Sequence, residues 1–171
     1  MTTPLFSPAR CAVGVFLLSA ALQASAYDDR DFLKHAAQSG QAEVVASKLA
    51  ETRSASPEVK AFAQAMVADH TKVNEELKAL AAKKQVDLPD DPSFPQQTKL
   101  KTLSTGDAAK FDERYAKQFG IAAHKDTLRL FEKAAAKAED PEVKAWAAKT
   151  LPALKHHLEM AQALPVNQKK K

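Results

Sequence analysis

Four polar side chains occupy positions where helical periodicity predicts apolar ones: Glu43, His70, His124 and His157. Each belongs to a different predicted helix and lies on or beside the apolar stripe of that helix. Neutral imidazoles are good ligands for transition metals, and a carboxylate adds charge compensation. One such group from each of four packed helices predicts a site for a single transition-metal ion (Zn, Cu, Ni, Mn or Fe), or for an ion and one water.

The same four positions also allow a purely structural interpretation. Each histidine could be a core-edge residue bonded to a carbonyl or a water, and buried polar residues can fix helix register. Asp69, Asn74 and Tyr115 are candidates to orient an imidazole through a hydrogen bond. His35 and His156 fall off the stripes and are predicted to lie on the surface.

Several kinds of site are excluded or disfavoured by the motifs. A di-iron carboxylate centre needs Glu-x-x-His on two helices. The residues three positions before His70, His124 and His157 are Val67, Ile121 and Leu154, so neither required motif exists and a di-iron centre is disfavoured. Covalent haem is excluded because Cys-x-x-Cys-His is absent, whereas non-covalent haem between two histidines stays open. No serine nucleophile elbow, P-loop or zinc-protease helix occurs, so no enzyme class is predicted.

The elements that position these residues are predicted to be helices. Glycine is scarce and alanine abundant, a composition that favours helix. The predicted helices span residues 29–53, 57–84, 107–138 and 141–164. Ser56-Pro57-Glu58 and Asp140-Pro141-Glu142 begin the second and fourth with the same arrangement of N-cap, proline and acidic first turn. Pro152 is expected to kink the fourth helix.

A short repeat suggests how the helices pair. Pro57-Glu-Val-Lys-Ala recurs as Pro141-Glu-Val-Lys-Ala, each at the start of the second helix of a hairpin. Residues 86–105 contain three prolines, so they cannot form one helix, although 100–103 allows a short turn. The fold class predicted is therefore all-α, a ferritin-like four-helix bundle of two helical hairpins joined by a long Pro-rich crossover. At about 1.5 Å per residue, the four polar positions meet near mid-bundle.

The two ends of the chain are predicted to lie outside the bundle. Residues 1–26 have a short apolar run ending in Ala24-Ser25-Ala26, which predicts a secretory signal peptide cleaved after Ala26. Arg10 precedes Cys11, which argues against lipidation at this cysteine, and cleavage removes it. The bundle domain is assigned to 27–164 and a basic tail to 165–171. We expect a periplasmic or secreted protein with no transmembrane segment after cleavage.

The net charge argues against one class of partner. The formal net charge of +4 is mild, and the charges are mixed along the helices rather than collected on one face. No nucleic-acid footprint is present, so nucleic acid is not an expected partner. A metal ion and an envelope protein remain as candidate partners.

The chain also resembles a known family. The resemblance is carried by Glu43-Val-Val-Ala-Ser-Lys-Leu-Ala50, Val59-Lys-Ala-Phe-Ala-Gln-Ala-Met66 with Asp69-His70, Phe111-Asp112 with Tyr115, His124 followed by Leu128-Arg-Leu-Phe131-Glu132, and Leu151-Pro152 with His157-Leu158. These motifs resemble the family called domain of unknown function 4142. The resemblance implies an exported bacterial ferritin-like bundle, often labelled an outer-membrane protein, with a glutamate in the first helix and histidines in the other three. It implies no established activity.

These observations give one leading functional hypothesis and two alternatives. The leading one is an exported bundle that binds one metal ion for metal handling or stress defence. The first alternative is a non-catalytic envelope bundle, structural or partner-binding, that holds no metal. A redox or hydrolytic metalloenzyme is the second, and it would need an open coordination position on the metal.

Overall fold

A computed structural model describes residues 27–167, and every regular element in that range is helical. The predicted signal peptide and most of the basic tail lie outside the described residues. The α-helices are α1 (Asp29–Arg53), α2 (Pro57–Lys83), α3 (Phe94–Thr105), α4 (Phe111–Tyr115), α5 (His124–Lys137) and α6 (Pro141–Ala163). A π-helical segment, Ala116–Ala123, joins α4 to α5, and short 3-10 turns occupy Ala108–Lys110 and Pro165–Asn167.

The predicted helix starts and the two hairpins are confirmed. Ser56 accepts a hydrogen bond from the backbone N–H of Val59, and Asp140 accepts from those of Glu142 and Val143. These side chains satisfy backbone donors that have no partner inside the helix. Helix α1 packs along α2, and α5 packs along α6. Contacts of α1 with α5 and of α2 with α6 bring the two hairpins together.

The crossover contains more helix than the sequence predicted. Residues 86–105 are not one helix, as expected, but α3 extends well beyond the short turn predicted at 100–103. Pro95 lies in the first turn of α3, where a missing backbone donor costs nothing. Ser93 and Gln96 form a capping box there. Leu100 and Leu103 are buried, which anchors α3 to the bundle.

The third predicted helix is not a continuous α-helix, and this corrects the sequence-based prediction. Within 107–138, the π-helical segment interrupts the α-helical turns immediately before His124. A Cβ at Gly120 would lie 3.0 Å from the Cβ of Ala161, so glycine permits a close approach to α6 at this point. The wider turns keep both Phe119 and His124, five residues apart, facing the core.

The core consists of two apolar clusters separated by a polar layer. The first cluster includes Phe32, Leu77, Phe131 and Trp146. The second includes Phe62, Met66, Tyr115, Phe119 and Ala161. On α2 and α6, the predicted site residue falls between the buried stretches that contribute to the two clusters. His124 lies between Phe119 of the second cluster and Leu128 of the first, and Glu43 follows Ala42, the first α1 residue of the second cluster. The polar layer therefore crosses the middle of the bundle.

No described helix is long and apolar enough to cross a bilayer. Pro152 lies inside α6 and is exposed. Pro152 has no N–H, so the carbonyl of Ala148 loses its usual partner within the helix. A kink of α6 at this point is therefore still predicted.

Candidate metal centre

The structure buries all four side chains singled out by the sequence. Glu43 is 3% exposed, His70 4%, His124 1% and His157 2%. In contrast, His35 and His156 are exposed, as predicted. Buried histidines and glutamates need partners, because an unpaired buried polar group costs about 1–3 kcal/mol. The partners of these four residues therefore decide what the polar layer can do.

The three histidines converge on one another. One ring nitrogen from each of His70, His124 and His157 lies within 4.8 Å of those of the other two. The ring centroids are 5.3–5.5 Å apart. The three imidazoles come from α2, α5 and α6, so the cluster depends on the packing of both hairpins. This arrangement has the size of a single-ion binding site.

The π-helical segment fixes the orientation of His124. Its Nδ1 lies 2.9 Å from the carbonyl oxygen of Phe119, five residues earlier. A carbonyl can only accept, so Nδ1 carries the proton and donates it. The neutral imidazole then has its lone pair on Nε2, which faces His70 at 3.4 Å. The interruption in the helix thus supplies a backbone acceptor that selects the tautomer of a potential ligand.

His157 is oriented in the opposite sense by a carboxylate. Its Nε2 donates to Oδ2 of Asp69 at 2.9 Å, and the Asp69 side chain is 55% exposed. The lone pair therefore lies on Nδ1, which is buried and has no hydrogen-bond partner. A histidine that donates its other N–H to a carboxylate is the usual arrangement of a metal-binding imidazole. The sequence had marked Asp69 as a candidate for this role.

The protonation chemistry of the cluster favours neutral imidazoles. Burial and the neighbouring His157 lower the pKa of His124 to about 4, although the bond to the Phe119 carbonyl opposes the shift. Burial, together with His124 and His157, holds the pKa of His70 well below its ordinary value. Burial also lowers the pKa of His157, while Asp69 partly offsets this. All three imidazoles are therefore neutral at pH 7, the form that binds metals.

Glu43 lies beside the histidine cluster rather than within it. Its Oε1 is 3.9 Å from Nδ1 of His124, too far for a hydrogen bond, and that nitrogen already donates to Phe119. Both carboxyl oxygens are buried without a hydrogen-bond partner. Burial raises the pKa of Glu43 well above the usual range for a carboxyl group. Glu43 is thus a poorly satisfied acid next to three neutral imidazoles.

The other two predicted orienting residues do not hydrogen-bond to an imidazole. Tyr115 shares a hydrogen bond of 2.8 Å with Ser47, and Asn74 Oδ1 is buried without a partner. The sequence analysis missed the Phe119 carbonyl as the partner of His124. No side-chain pattern marks a backbone acceptor, and the one possible signal of an irregular turn was Gly120, the only glycine in the predicted third helix.

Replacing Tyr115 with phenylalanine tests this assignment. The substitution leaves the buried Ser47 hydroxyl without its partner, so the free energy of unfolding should fall by about 1–2 kcal/mol. Metal affinity should be unchanged, because Tyr115 bonds to Ser47 and to no imidazole. Urea unfolding and metal titration of the same preparation measure the two effects separately. A loss of metal affinity without a loss of stability would contradict the assignment.

Comparisons with known proteins agree with an all-helical fold. A crystal structure of a DUF305 fragment from Deinococcus radiodurans superposes with a TM-score of 0.68 over 80% of this chain and 95% of that chain. The two sequences are 14% identical, so the similarity concerns the fold alone. A search of curated proteins finds none that matches this chain. Residues 17–164 match the family described as domain of unknown function (DUF4142), and the chain therefore belongs to that family.

Proposed function

We propose that this chain is an exported, ferritin-like bundle that binds one transition-metal ion through His70, His124 and His157. The observation that carries the proposal is the set of three buried, convergent imidazoles in which two have their outer nitrogens tied to acceptors. Those two bonds place the lone pairs of His124 and His157 on Nε2 and Nδ1, respectively, inside the bundle. Export rests on the sequence of residues 1–26, and the ferritin-like topology rests on the long crossover between two hairpins.

The spacing of the nitrogens suits a small ion. Tetrahedral bonds of about 2.0–2.1 Å place two ligand nitrogens about 3.3–3.4 Å apart. The Nε2 atoms of His70 and His124 are 3.4 Å apart. In the metal-free form, His70 donates its Nε2 proton to His124, so ligation needs the other tautomer of His70, with the proton on Nδ1. Nδ1 of His157 also has a lone pair that can bind a metal, because this atom has no hydrogen-bond partner.

The donor set narrows the class of metal. Three neutral imidazoles favour Zn, Cu, Ni or Fe(II) over Ca or Mg, which prefer oxygen ligands. A cavity of about 10 Å³ lies beside Glu43 and His70. That volume holds about one water, which could complete the coordination. Glu43 would then supply a compensating negative charge, or accept a hydrogen bond from that water, without belonging to the histidine cluster.

Metal-induced thermal stabilisation tests the proposal. The metal-free mature protein is titrated with Zn, Cu, Ni, Mn and Fe(II), and its melting temperature is followed. At a hundredfold excess over Kd, binding to the native state adds about 2.7 kcal/mol, which corresponds to a rise of about 5–10 °C for a domain of this size. The substitution His70→Ala should abolish the rise. His35→Ala should preserve it, because His35 lies on the surface, 54% exposed.

Two outcomes contradict a metal-binding function. In one, none of the five metals changes the melting temperature. In the other, His35→Ala reduces the rise as strongly as His70→Ala does. Either result would favour a bundle whose polar core residues fix helix register and whose function resides on its surface.

A further inference from the structure

An outer cleft of about 210 Å³ opens on one side of the bundle, between α1, α2 and the segment that follows α2. The side chains that define it include Gln41, Asn74, Leu77, Lys78, Leu88 and Asp90. Its lining includes one carboxylate and one ammonium group, from Asp90 and Lys78. The cleft has room for several waters.

The outer cleft adjoins the small cavity at the metal centre. Asn74 and Leu77 line both spaces. The inner cavity continues to Glu43 and His70, and Trp146 forms part of its wall. Asn74 and Leu77 therefore form a wall that the two spaces share. Asn74 is the polar one of the pair.

Buried oxygen atoms without hydrogen-bond partners border both the outer cleft and the inner cavity. The side-chain oxygens Oε1 of Gln41, Oδ1 of Asn74 and both carboxyl oxygens of Glu43 are buried and lack a hydrogen-bond partner. Buried oxygens in native proteins are satisfied by protein or ordered water in the large majority of cases. Three such side chains in succession, from the cleft to the histidines, indicate a polar, hydrated route rather than a sealed core.

Asn74 is held at the junction by a glycine. A Cβ at Gly40 would lie 2.0 Å from Asn74 Oδ1, so the amide occupies the space that any other residue at position 40 would fill. This close approach keeps the Asn74 oxygen at the boundary between the two spaces. Gly40 itself lines the inner cavity.

We propose that a divalent transition-metal ion reaches the three histidines through the outer cleft and passes Asn74, whose amide oxygen replaces water ligands on the way. This inference rests on the proposed function and adds the route by which the site is filled. A second approach to the cluster runs past the exposed side chain of Asp69, which His157 contacts. A route past Asp69 contradicts the proposal and is one outcome of the test.

Stopped-flow fluorescence of the full mature chain tests the route. Trp146 is the only tryptophan in the sequence and lines the inner cavity, so quenching of its emission reports the arrival of Cu²⁺. The substitution Asn74→Leu keeps a similar volume but removes the amide oxygen. It should slow both uptake and release at least about tenfold, a barrier increase of about 1.4 kcal/mol, and leave the equilibrium affinity within about threefold. Gln41→Leu should slow uptake in the same direction by a smaller factor.

Gln64→Leu is the matched control, because it makes an amide-to-leucine change on the exposed face of the same helix. Its uptake rate should equal that of the wild type. If Asn74→Leu does not fold, Gln41→Leu decides the question with Asn74→Asp, which retains an oxygen and should keep rapid uptake. Uptake rates within twofold of wild type in both Asn74→Leu and Gln41→Leu would overturn the route, and slowing in Asp69→Asn would then indicate entry past Asp69. Absence of His70-dependent binding in the wild type would overturn the proposed function itself.

Discussion

As the pH falls from 6.5 to 4, His124 alone should lower the unfolding free energy of the metal-free protein by about 3 kcal/mol. The pKa of this residue is lowered from 6.5 to about 4, chiefly by burial. Below pH 6.5 the unfolded chain binds a proton at this residue, whereas the folded chain does not until about pH 4. Each pH unit in that window costs about 1.4 kcal/mol.

The sign of the effect is the same for the other two histidines and opposite for Glu43. Burial also lowers the pKa of His70 and His157, so each adds stability above the unfolded pKa that is lost on acidification. The pKa of Glu43 is raised, so its contribution is present at low pH and is lost as the pH rises above 4.5. We therefore expect maximal stability of the metal-free protein near pH 6.5.

Urea unfolding in the presence of a chelator, at several pH values between 7 and 4, measures this dependence. The substitution His124→Gln should flatten the acid side of the curve, because it removes a group that titrates only in the unfolded state. His156→Gln is the control, since it makes the same change at an exposed histidine. A wild-type curve that is flat between pH 6.5 and 4.5 would show that the imidazoles are not held neutral by burial.

Replacing Glu43 with leucine should make the metal-free protein more stable and its metal site weaker. The carboxyl group is buried, and both of its oxygens lack a hydrogen-bond partner. Leucine has a similar volume to glutamate and no polar atoms, so it removes this unsatisfied group. The expected gain is about 1–3 kcal/mol in the free energy of unfolding. Metal affinity should fall because the ion loses its nearby negative charge. Opposite changes in stability and binding are typical of residues retained for function.

The Glu43→Leu substitution also distinguishes a role of Glu43 in metal binding from a role in fixing helix register. If Glu43 serves only to fix register, Glu43→Leu should broaden the unfolding transition or change the oligomeric state. Calorimetry and sedimentation measure those properties, and metal titration is done on the same samples. Glu43→Gln retains the shape without the charge and should weaken metal binding without the full gain in stability. A stable, cooperative Glu43→Leu protein with unchanged metal affinity would remove Glu43 from the site.

Much of the fold followed from local signals that act within a few residues. Ser56-Pro57 and Asp140-Pro141 fixed two helix starts, because capping depends on side chains adjacent to the helix end. The stripe containing Met66, His70 and Leu77 placed His70 in the core, because burial of a helix face has a period of 3.6 residues. The periodicity of the sequence therefore predicts which histidines are buried, but not the distances between them.

Other features depended on tertiary packing and were not predictable. Helix α3 is anchored by the burial of Leu100 and Leu103, and the three nearby prolines do not oppose it, because each lies before the helix or in its first turn. The π-helical segment before His124 requires a close contact between Gly120 and Ala161, which no single helix encodes. The position of Glu43 beside the cluster, rather than within it, follows from how α1 packs against the other helices. Distances of this kind are not contained in a periodic pattern.

The polar layer has a further consequence, for how the protein opens. It divides the core into two apolar clusters, so few apolar contacts connect the two ends of the bundle. Without metal, we expect each end to exchange its amide hydrogens with its own free energy of opening, as separate cooperative units. An ion bound between them would join residues of α2, α5 and α6 at the boundary. Amides far from the histidines, near the ends of the helices, would then become protected together with those beside the site.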